Sequence, residues 1–289
     1  MSRISVNDLS SFKQSKKRFT VLTSYDSLTA SLFDESGIPV LLVGDSAANL
    51  VFGYDSTVPI TVEEMLPIVK AVVRSTKNAM VVADLPFGSY QSSSTVALES
   101  ATRFLKAGAH AVKLEGGQRV ASTVSQLVES GIPVMGHIGL TPQSVNVLGG
   151  YKVQGRGEHA ETLLQDAKAL ENAGAFSIVL EAIPRDLAKQ ITKLILIPTI
   201  GIGAGPDTDA QVMVWQDLVG LTPGPKPKFV KPYLNLRQDI EKAIKDFSKD
   251  VESGKYPDSD HSYFWLFFLI YVNNIDSKPL ILFYLLPIL

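Results

Sequence analysis

The sequence has no cysteine among its 289 residues, which excludes disulfides, thiolate nucleophiles and cysteine-bound metals. It also lacks a strong charge imbalance, because 27 basic and 29 acidic residues leave a net charge of −2. A broad cationic surface for nucleic acid or anionic lipid is therefore not expected. Residues 1–19 contain no apolar segment of the kind that signal peptides carry. We expect a cytoplasmic protein that binds no nucleic acid.

The last 26 residues differ in composition from the rest, because they hold 7 of the 24 aromatic residues. Their two apolar runs, 264–272 and 279–289, are each about half of the roughly 20 residues that span a bilayer. Polar residues separate the runs, and Pro279 and Pro287 disfavour one continuous helix. A membrane anchor is one interpretation. We favour another, in which residues 1–263 form the catalytic domain and residues 264–289 are an apolar extension that is not native.

Short apolar runs alternate with helical stretches between residues 19 and 220. Most runs are continuously apolar, as strands buried on both faces of a parallel sheet require. Eight alternations predict a single-domain α/β fold, a closed (β/α)₈ TIM barrel, with an open doubly wound sheet as the alternative. The predicted strands are 19–24, 39–45, 79–84, 110–115, 132–137, 176–181, 197–203 and 217–220.

Two of the intervening stretches, 61–76 and 95–107, have clear helix signals. Thr61 and Ser94 are predicted N-caps, and Glu64 completes a capping box with Thr61. Glycine at a helix end permits the left-handed conformation that precedes the next strand. Four helices are predicted to end in this way, at Gly37, Gly108, Gly131 and Gly174.

Three consecutive predicted strands end in acidic residues, Asp45, Asp84 and Glu115. The carboxyl ends of barrel strands converge on one face, so these side chains are expected to meet there. Burying several carboxylates is costly without a compensating cation, and oxygen ligands suit a hard divalent metal. The alternative is that each acid caps the following helix.

Basic residues accompany these acids on the same strands. Lys113 lies two residues before Glu115, on the same side of the strand, and is either a structural ion-pair partner or a cation for a substrate carboxylate. His137 ends the fifth predicted strand but, taken alone, is more typical of a hydrogen-bonded structural residue. The glycine-rich segment 200–206 is compatible with a phosphate-binding loop or with a tight turn.

Several long segments resemble the signatures of the ketopantoate hydroxymethyltransferase family, in the same order. The most specific is GHIGLTPQSVN at 136–146, followed by GGYKVQGRG at 149–157. The resemblance covers residues 5–263. The other matching segments are 23–30, 42–61, 83–90, 112–117, 180–184, 200–211, 227–233 and 252–263.

The resemblance implies a TIM barrel that assembles as a homodecamer and uses Mg²⁺, with 5,10-methylenetetrahydrofolate as co-substrate. The implied reaction converts 3-methyl-2-oxobutanoate to 2-dehydropantoate through a Mg²⁺-stabilised enolate, the first committed step toward pantothenate and coenzyme A. The family's metal and substrate residues match Asp45, Asp84 and Glu115 for the metal, Ser46 and Lys113 for the substrate carboxylate, His137 as an active-site histidine and Glu181 as the base.

Three alternatives stay open beside this interpretation. The chain could be another Mg²⁺-dependent enolate-forming barrel, a lyase or mutase of the phosphoenolpyruvate type. It could also be a non-catalytic binding protein, or a membrane-attached form of the enzyme. Glu181 has an alternative role as a helix-capping acid before Pro184. Ala210 stands where the family usually has glycine, which matters if that position requires a positive φ.

Overall fold

The computed structural model describes residues 3–263, 266–272 and 280–286. The chain forms two compact units, Met1–Tyr233 and Leu234–Leu289. The division between these units lies at residue 233, whereas the sequence predicts that the catalytic domain ends at residue 263. The limit of the catalytic domain stays a prediction.

The first unit is a closed barrel of eight parallel strands, which confirms the predicted fold class. Strand order around the barrel follows the sequence, and the last strand pairs with the first. The strands are β1 (Phe19–Thr23), β2 (Val40–Val43), β3 (Met80–Asp84), β4 (Ala111–Glu115), β5 (Val134–Gly139), β6 (Ser177–Glu181), β7 (Thr199–Ile202) and β8 (Ala210–Met213).

The prediction for the eighth strand was wrong. Residues 217–220 do not form it, and Trp215–Leu218 is instead a short helix. The true strand, Ala210–Met213, exposes Gln211 and buries only alternate residues fully. It therefore lacks the continuous apolar run by which the other strands were recognised. Ala210 opens this strand and is not among the residues with positive φ, so alanine is compatible with its backbone.

Helices follow most strands and cover the outside of the barrel. Of the eleven in the described residues, ten precede residue 234: α1 (Val6–Gln14), α2 (Ser27–Glu35), α3 (Ala47–Leu50), α4 (Val62–Arg74), α5 (Ser94–Lys106), α6 (Ala121–Glu129), α7 (Val145–Leu148), α8 (His159–Asn172), α9 (Arg185–Leu194) and α10 (Trp215–Leu218). Single 3₁₀ turns lie at Gln118–Val120 and Pro142–Ser144.

Helix ends follow the predicted signals closely. The Thr61–Glu64 capping box of α4 is present, which confirms that prediction. The N-cap of α5 is Ser93, whose side chain accepts from the Val96 N–H, rather than the predicted Ser94. All four predicted terminal glycines have positive φ. At Gly108, a Cβ would also lie 2.6 Å from Val73 Cγ1, so glycine is required there for conformation and for space.

Two apolar layers hold the barrel together. One fills its interior, where Leu9 of α1 packs with strand residues such as Val21, Met80 and Met135. The other lies between strands and helices and includes Leu41, Phe104 and Leu127, which are fully buried. Alternate strand residues enter the two layers, which explains why the strand sequences are apolar throughout.

The second unit contains α11 (Leu236–Glu252), a 3₁₀ turn at Ser259–His261 and an antiparallel pair of strands, β9 (Leu266–Val272) and β10 (Leu280–Leu286). Among the described residues, no helix combines the length and apolarity needed to cross a membrane. The polar residues and prolines that argue against a continuous apolar helix, at 273–279 and 287, lie outside the described residues.

Candidate active site

All seven side chains predicted for the site line one cavity of about 120 Å³ at the carboxyl ends of the barrel strands. Asp84, Glu115 and Glu181 are the last residues of β3, β4 and β6. The other four come from β4, from β5 and from the turn after β2: Asp45, Ser46, Lys113 and His137. The structure therefore brings together residues separated by up to 136 positions through the convergence of parallel strands.

Strand register places neighbouring site residues side by side. Asp84 pairs with Lys113 across β3 and β4, and Glu115 pairs with His137 across β4 and β5. His137 lies inside β5 rather than at its end, since that strand continues to Gly139. A one-residue slip between these strands would turn the polar side chains to the opposite face.

Lys113 forms a buried ion pair with Asp84. Its Nζ lies 2.9 Å from Asp84 Oδ2, and the same oxygen accepts a hydrogen bond from the Asp45 N–H at 3.0 Å. Burial lowers the pKa of Lys113, but the charges of Asp84, Glu115 and Asp45 outweigh this effect and raise it. Lys113 is consequently a fixed cation in the wall of the cavity.

His137 connects two carboxylates. Its Nδ1 lies 3.3 Å from Glu115 Oε1, and its Nε2 lies 3.2 Å from Glu181 Oε2. Burial and the charge of Lys113 lower the pKa of His137, while its contacts with Glu115 and Glu181 raise it more strongly, to about 9. A pKa of about 9 favours the imidazolium form at neutral pH. Within the described residues, His137 Nε2 and Glu115 Oε1 have no hydrogen-bond partner, so the ring contacts both carboxylates as an ion pair.

Gln143 and Tyr90 are buried site residues to which the sequence analysis assigned no role. The side-chain Nε2 of Gln143 donates to Asp45 Oδ2 at 2.9 Å, and its backbone N–H donates to Glu115 Oε2 at 3.1 Å. The Tyr90 hydroxyl lies 2.8 Å from Gln143 Oε1 and accepts from the Glu115 N–H at 3.1 Å. Together they fix two of the three acids. Both residues lie within segments that carry the family resemblance, and this resemblance was the one feature of the sequence that could have pointed to them.

Ser46 has a comparable support. Its Oγ lies 2.7 Å from the hydroxyl of Tyr25, a buried residue in the turn between β1 and α2. Burial is the main reason that the pKa of Tyr25 is raised, so this phenol keeps its proton. The Tyr25–Ser46 pair therefore offers neutral hydroxyl groups beside the charged ones.

The backbone around Glu181 is constrained. Ala182 has a φ of 46°, a left-handed conformation that alanine rarely adopts, and its N–H donates to the Ile202 carbonyl at 2.8 Å. Gly139, with a φ of 95°, packs so closely that a Cβ would collide with the Glu181 carbonyl oxygen. These contacts fix the direction in which the Glu181 side chain leaves β6.

The charges of the site favour binding of a divalent cation. Three buried carboxyl groups, those of Asp45, Asp84 and Glu115, face only two buried cations, Lys113 and His137. Burial and the neighbouring acids raise the pKa of Asp45 to about 8, which reflects the uncompensated charge. Within the described residues, Asp84 Oδ1 is buried without a hydrogen-bond partner.

The donor set fits Mg²⁺ in its chemistry. Among the described residues, no three acidic or histidine side chains already surround a common point. Mg²⁺ commonly takes only one or two protein carboxylates and fills its octahedron with water and substrate oxygens. Asp45 and Asp84 are adjacent and lie at the cavity, so they could supply such ligands, whereas Glu115 contacts His137 and Gln143.

A larger cavity of about 1090 Å³ shares Glu181, Ile202 and Val214 with the inner one. Part of its wall is the glycine-rich segment after β7, where Gly203 and Gly205 have positive φ. Directly after that segment, Asp207 pairs with Arg185 at 2.7 Å. These features agree with the tight-turn interpretation, while phosphate binding stays a prediction.

Solved structures of several other enzymes share the fold. A phosphonopyruvate hydrolase in complex with oxalate and Mg²⁺ matches with a TM-score of 0.60 at 12% identity, over 90% of this chain and 93% of that one. A 2,3-dimethylmalate lyase, described as a phosphoenolpyruvate mutase/isocitrate lyase superfamily member, matches with a TM-score of 0.57 at 17% identity, over 91% and 92%. At such identities the likeness shows the fold alone.

Sequence relatives are much more similar. The 3-methyl-2-oxobutanoate hydroxymethyltransferase of Thermobifida fusca is 61% identical over 90% of this chain and 94% of its own length. The enzymes of the same name from Frankia casuarinae and Mycobacterium ulcerans are 59% and 54% identical, each over 91% of this chain and 89% of their own. A family model described as ketopantoate hydroxymethyltransferase matches residues 3–259. The chain belongs to the ketopantoate hydroxymethyltransferase family.

Proposed function

We propose that this enzyme transfers a hydroxymethyl group from 5,10-methylenetetrahydrofolate to 3-methyl-2-oxobutanoate and so forms 2-dehydropantoate. The relatives that carry this name are more than half identical to the chain, which supports the reaction. The observation that carries the chemistry is that the Glu181 carboxylate lines the same inner cavity as the buried Lys113–Asp84 pair. A small 2-oxo acid needs such a cation at one end and a base at the other.

Each side chain then has a defined task. Lys113 offsets the substrate carboxylate, and Ser46, supported by Tyr25, donates a hydrogen bond to it. Glu181 removes the proton from C3, and the electrons of that C–H bond form the enolate. His137 positions Glu181, because its Nε2 lies 3.2 Å from Glu181 Oε2.

The transfer balances with one molecule of water. The methylene carbon of the co-substrate forms a bond to C3 and loses its two bonds to the carrier nitrogens. Water supplies the hydroxyl group of the product. The proton from C3 and the remaining proton of water complete the two N–H bonds of tetrahydrofolate.

Mg²⁺ is proposed as the metal, held by Asp45 and Asp84 with Glu115 beside them. When bound, it would polarise the keto oxygen and offset the negative charge that develops there. Asp84→Asn should lose most of the Mg²⁺ affinity while the barrel stays folded, because the Oδ1 atom without a partner is replaced or rotated away. Titration calorimetry with Mg²⁺ alone measures this. Wild-type affinity in the folded variant would remove Asp84 from the metal site.

The proposed activity has a direct test. Purified protein is incubated with 3-methyl-2-oxobutanoate and 5,10-methylenetetrahydrofolate, with and without EDTA, and the product is identified by mass. In a second assay without folate, exchange of the C3 hydrogen with deuterium from solvent reports enolisation. Product formation and exchange are expected. A chain that instead turns over phosphonopyruvate or isocitrate would belong with the lyases and mutases that share its fold.

Assembly and location complete the proposal. We propose a homodecamer in the cytoplasm, with residues 264–289 outside the catalytic domain. Support for self-association comes from α11, where four apolar side chains share one face at spacings of four, three and four residues: Ile240, Ile244, Phe247 and Val251. They are 40–59% exposed within the chain, and an apolar stripe of this length is typical of a protein interface.

A further inference from the structure

The wall of the inner cavity contains a buried hydroxyl group outside the charged network. Thr57 is 3% exposed and lines this cavity, and within the described residues its Oγ1 atom has no hydrogen-bond partner. The other atoms of this kind on the cavity wall belong to Asp84, Glu115 and His137, which form ion pairs with one another or with Lys113. Thr57 is uncharged and forms no hydrogen bond with that network.

A buried hydroxyl group without a partner requires an explanation. Burial removes the group from water, and without a new hydrogen bond this lowers the stability of the folded chain. Threonine commonly avoids the loss by bonding to nearby backbone, as Thr76 Oγ1 does with the Val73 carbonyl at 3.2 Å. Thr57 forms no such local bond within the described residues. Valine would fill the same space without the loss, so a ligand is the best explanation for the hydroxyl group.

One carboxylate holds both ends of the loop that carries Thr57 between α3 and α4. Glu64 Oε1 accepts a hydrogen bond from the Tyr54 hydroxyl at 2.6 Å, and Glu64 Oε2 accepts one from the Thr61 N–H at 2.8 Å. The Tyr54 N–H also donates to the Ala48 carbonyl at 2.9 Å. A loop fixed in this way presents Thr57 to the cavity in advance, which lowers the entropic cost of binding a ligand there.

A 2-oxo acid offers the partner that Thr57 lacks. Its carboxylate and keto oxygens are acceptors only, and its branched carbon part is apolar, so a hydroxyl group can only donate to it. Ser46 and Lys113, which are proposed to bind the substrate carboxylate, line the same cavity. Val179 and Val212 also line it and suit the apolar part of the molecule. The cavity wall therefore combines apolar surface with a few polar groups that orient a small acid.

We propose that Thr57 is a further substrate-binding residue, whose hydroxyl group donates a hydrogen bond to an oxygen atom of the bound 2-oxo acid. This bond satisfies the buried hydroxyl group in the complex alone, so it favours the bound state. The inference rests on the proposed function, because it takes the 2-oxo acid as the ligand of the inner cavity.

Thr57→Val removes the hydroxyl group and keeps the shape, and two measurements on the full chain test the proposal. By titration calorimetry at saturating Mg²⁺, affinity for 3-methyl-2-oxobutanoate should fall by roughly 10-fold, the contribution of one hydrogen bond to such a ligand. By urea unfolding without ligand, the variant should be at least as stable as wild type, because a buried polar group without a partner has been removed. Thr57→Ser keeps the hydroxyl group and should retain most of the affinity.

Thr222→Val is the matched control. Within the described residues, Thr222 Oγ1 is also buried without a hydrogen-bond partner, but Thr222 does not line the inner cavity. Its replacement should leave the affinity for 3-methyl-2-oxobutanoate unchanged.

Four results would overturn the assignment of Thr57. They are wild-type affinity in Thr57→Val, a Thr57→Ser variant that binds as weakly as Thr57→Val, a clear loss of stability in Thr57→Val, and an equal loss of affinity for Mg²⁺ alone. The last would make the hydroxyl group a support of the metal rather than of the 2-oxo acid. If the wild-type chain neither binds 3-methyl-2-oxobutanoate nor exchanges its C3 hydrogen, the proposed function itself fails.

Discussion

At the scale of single residues, the site is organised around one imidazolium. His137 contacts Glu115 through one ring nitrogen and Glu181 through the other. It therefore links an acid beside the proposed metal site, Glu115, to the proposed base, Glu181. Lys113 lies 3.5 Å from the same ring, and each of the two cations contacts its own acids, Asp84 for Lys113 and Glu115 and Glu181 for His137. The residues thus form one charged network rather than separate functional groups.

Glu181→Gln tests the assignment of the base. Glutamine keeps the shape and hydrogen-bonding capacity but cannot accept a proton. Exchange of the C3 hydrogen of 3-methyl-2-oxobutanoate with deuterium should fall by roughly 10²–10⁴-fold, the usual contribution of a general base. Binding of the 2-oxo acid should persist, because Lys113 and Ser46 are unchanged. Glu129→Gln, at the exposed end of α6, serves as control. Exchange at the wild-type rate in the Glu181→Gln variant would make His137 the next candidate.

Gln143→Met tests whether the buried amide positions the metal site. The substitution keeps the volume but removes the hydrogen bonds to Asp45 and Tyr90. Loss of such a supporting contact typically lowers metal affinity by roughly 10- to 100-fold, and we expect this for Mg²⁺ measured by calorimetry without substrate. Gln91→Met is the control, because the Gln91 side chain donates to Gln143 Oε1 at 3.1 Å but forms no hydrogen bond with an acid. Unchanged Mg²⁺ affinity in the Gln143→Met variant would limit that residue to packing.

Sequence reasoning located the seven predicted residues because the ends of parallel strands must converge. The sequence did not predict Gln143 and Tyr90 as site residues, for a physical reason. Gln143 lies in a loop after β5. It bonds to Asp45, which is 98 residues away in the sequence, and to Tyr90, which is 53 residues away. Neither the period of a strand nor a helix signal predicts such contacts, which depend on the folded path of the loops.

At the scale of elements, continuous apolar runs located seven strands, and the eighth was missed. β8 exposes Gln211 between buried Ala210 and Val212, so its pattern alternates like that of an antiparallel edge. The helix signals were more reliable, because caps depend on local hydrogen bonds that neighbouring residues supply. Thr61 and Glu64 could therefore be assigned from the sequence, while the position of the last strand depended on its pairing with β1 and β7.

Asp34, in α2, holds the segment that leads into β3 in place. Its carboxylate accepts hydrogen bonds from the backbone N–H groups of Lys77, Asn78 and Ala79, at 2.9, 2.9 and 2.6 Å. Asp34→Asn replaces one acceptor oxygen with a donor and leaves buried N–H groups without partners, so it should lower stability by about 1–3 kcal/mol. Urea unfolding at pH 7 measures this. The neighbouring exposed Glu35→Gln is the control and should have little effect.

The same contact predicts a pH dependence. Burial raises the pKa of Asp34, but the hydrogen bonds from Lys77, Ala79 and Asn78 outweigh it and lower the pKa below its ordinary value. The ionised form is thus favoured by folding, and its contribution is complete above the unfolded pKa of about 3.9 and is lost as the pH falls below it. The stability difference between wild type and Asp34→Asn should therefore narrow as the pH falls from about 4 through the lowered pKa of the folded state. A constant difference across this range would contradict a charge-dependent role.

At the scale of the whole molecule, the residues that stabilise the barrel and the residues of the proposed site occupy different parts of it. Its interior is filled with apolar side chains from α1 to the middle of the strands, and the polar residues collect where the strands end. The two connected cavities lie at that end, so small-molecule reactants can meet without disturbing the core. One face of α11 carries exposed apolar side chains. Such a face is typical of a protein interface, which supports the proposed assembly of several copies.

Deletion of residues 264–289 tests the proposed limit of the enzyme. The family model ends at residue 259, and α11 and the 3₁₀ turn at Ser259–His261 are retained in the shortened chain. Specific activity should therefore be unchanged, and solubility should improve, since apolar extensions promote association. Light scattering of both chains gives the mass of the assembly, and the folate-dependent assay gives the activity. If the shortened chain loses its assembly or its activity, the segment is part of the functional fold, and the boundary at residue 263 is wrong.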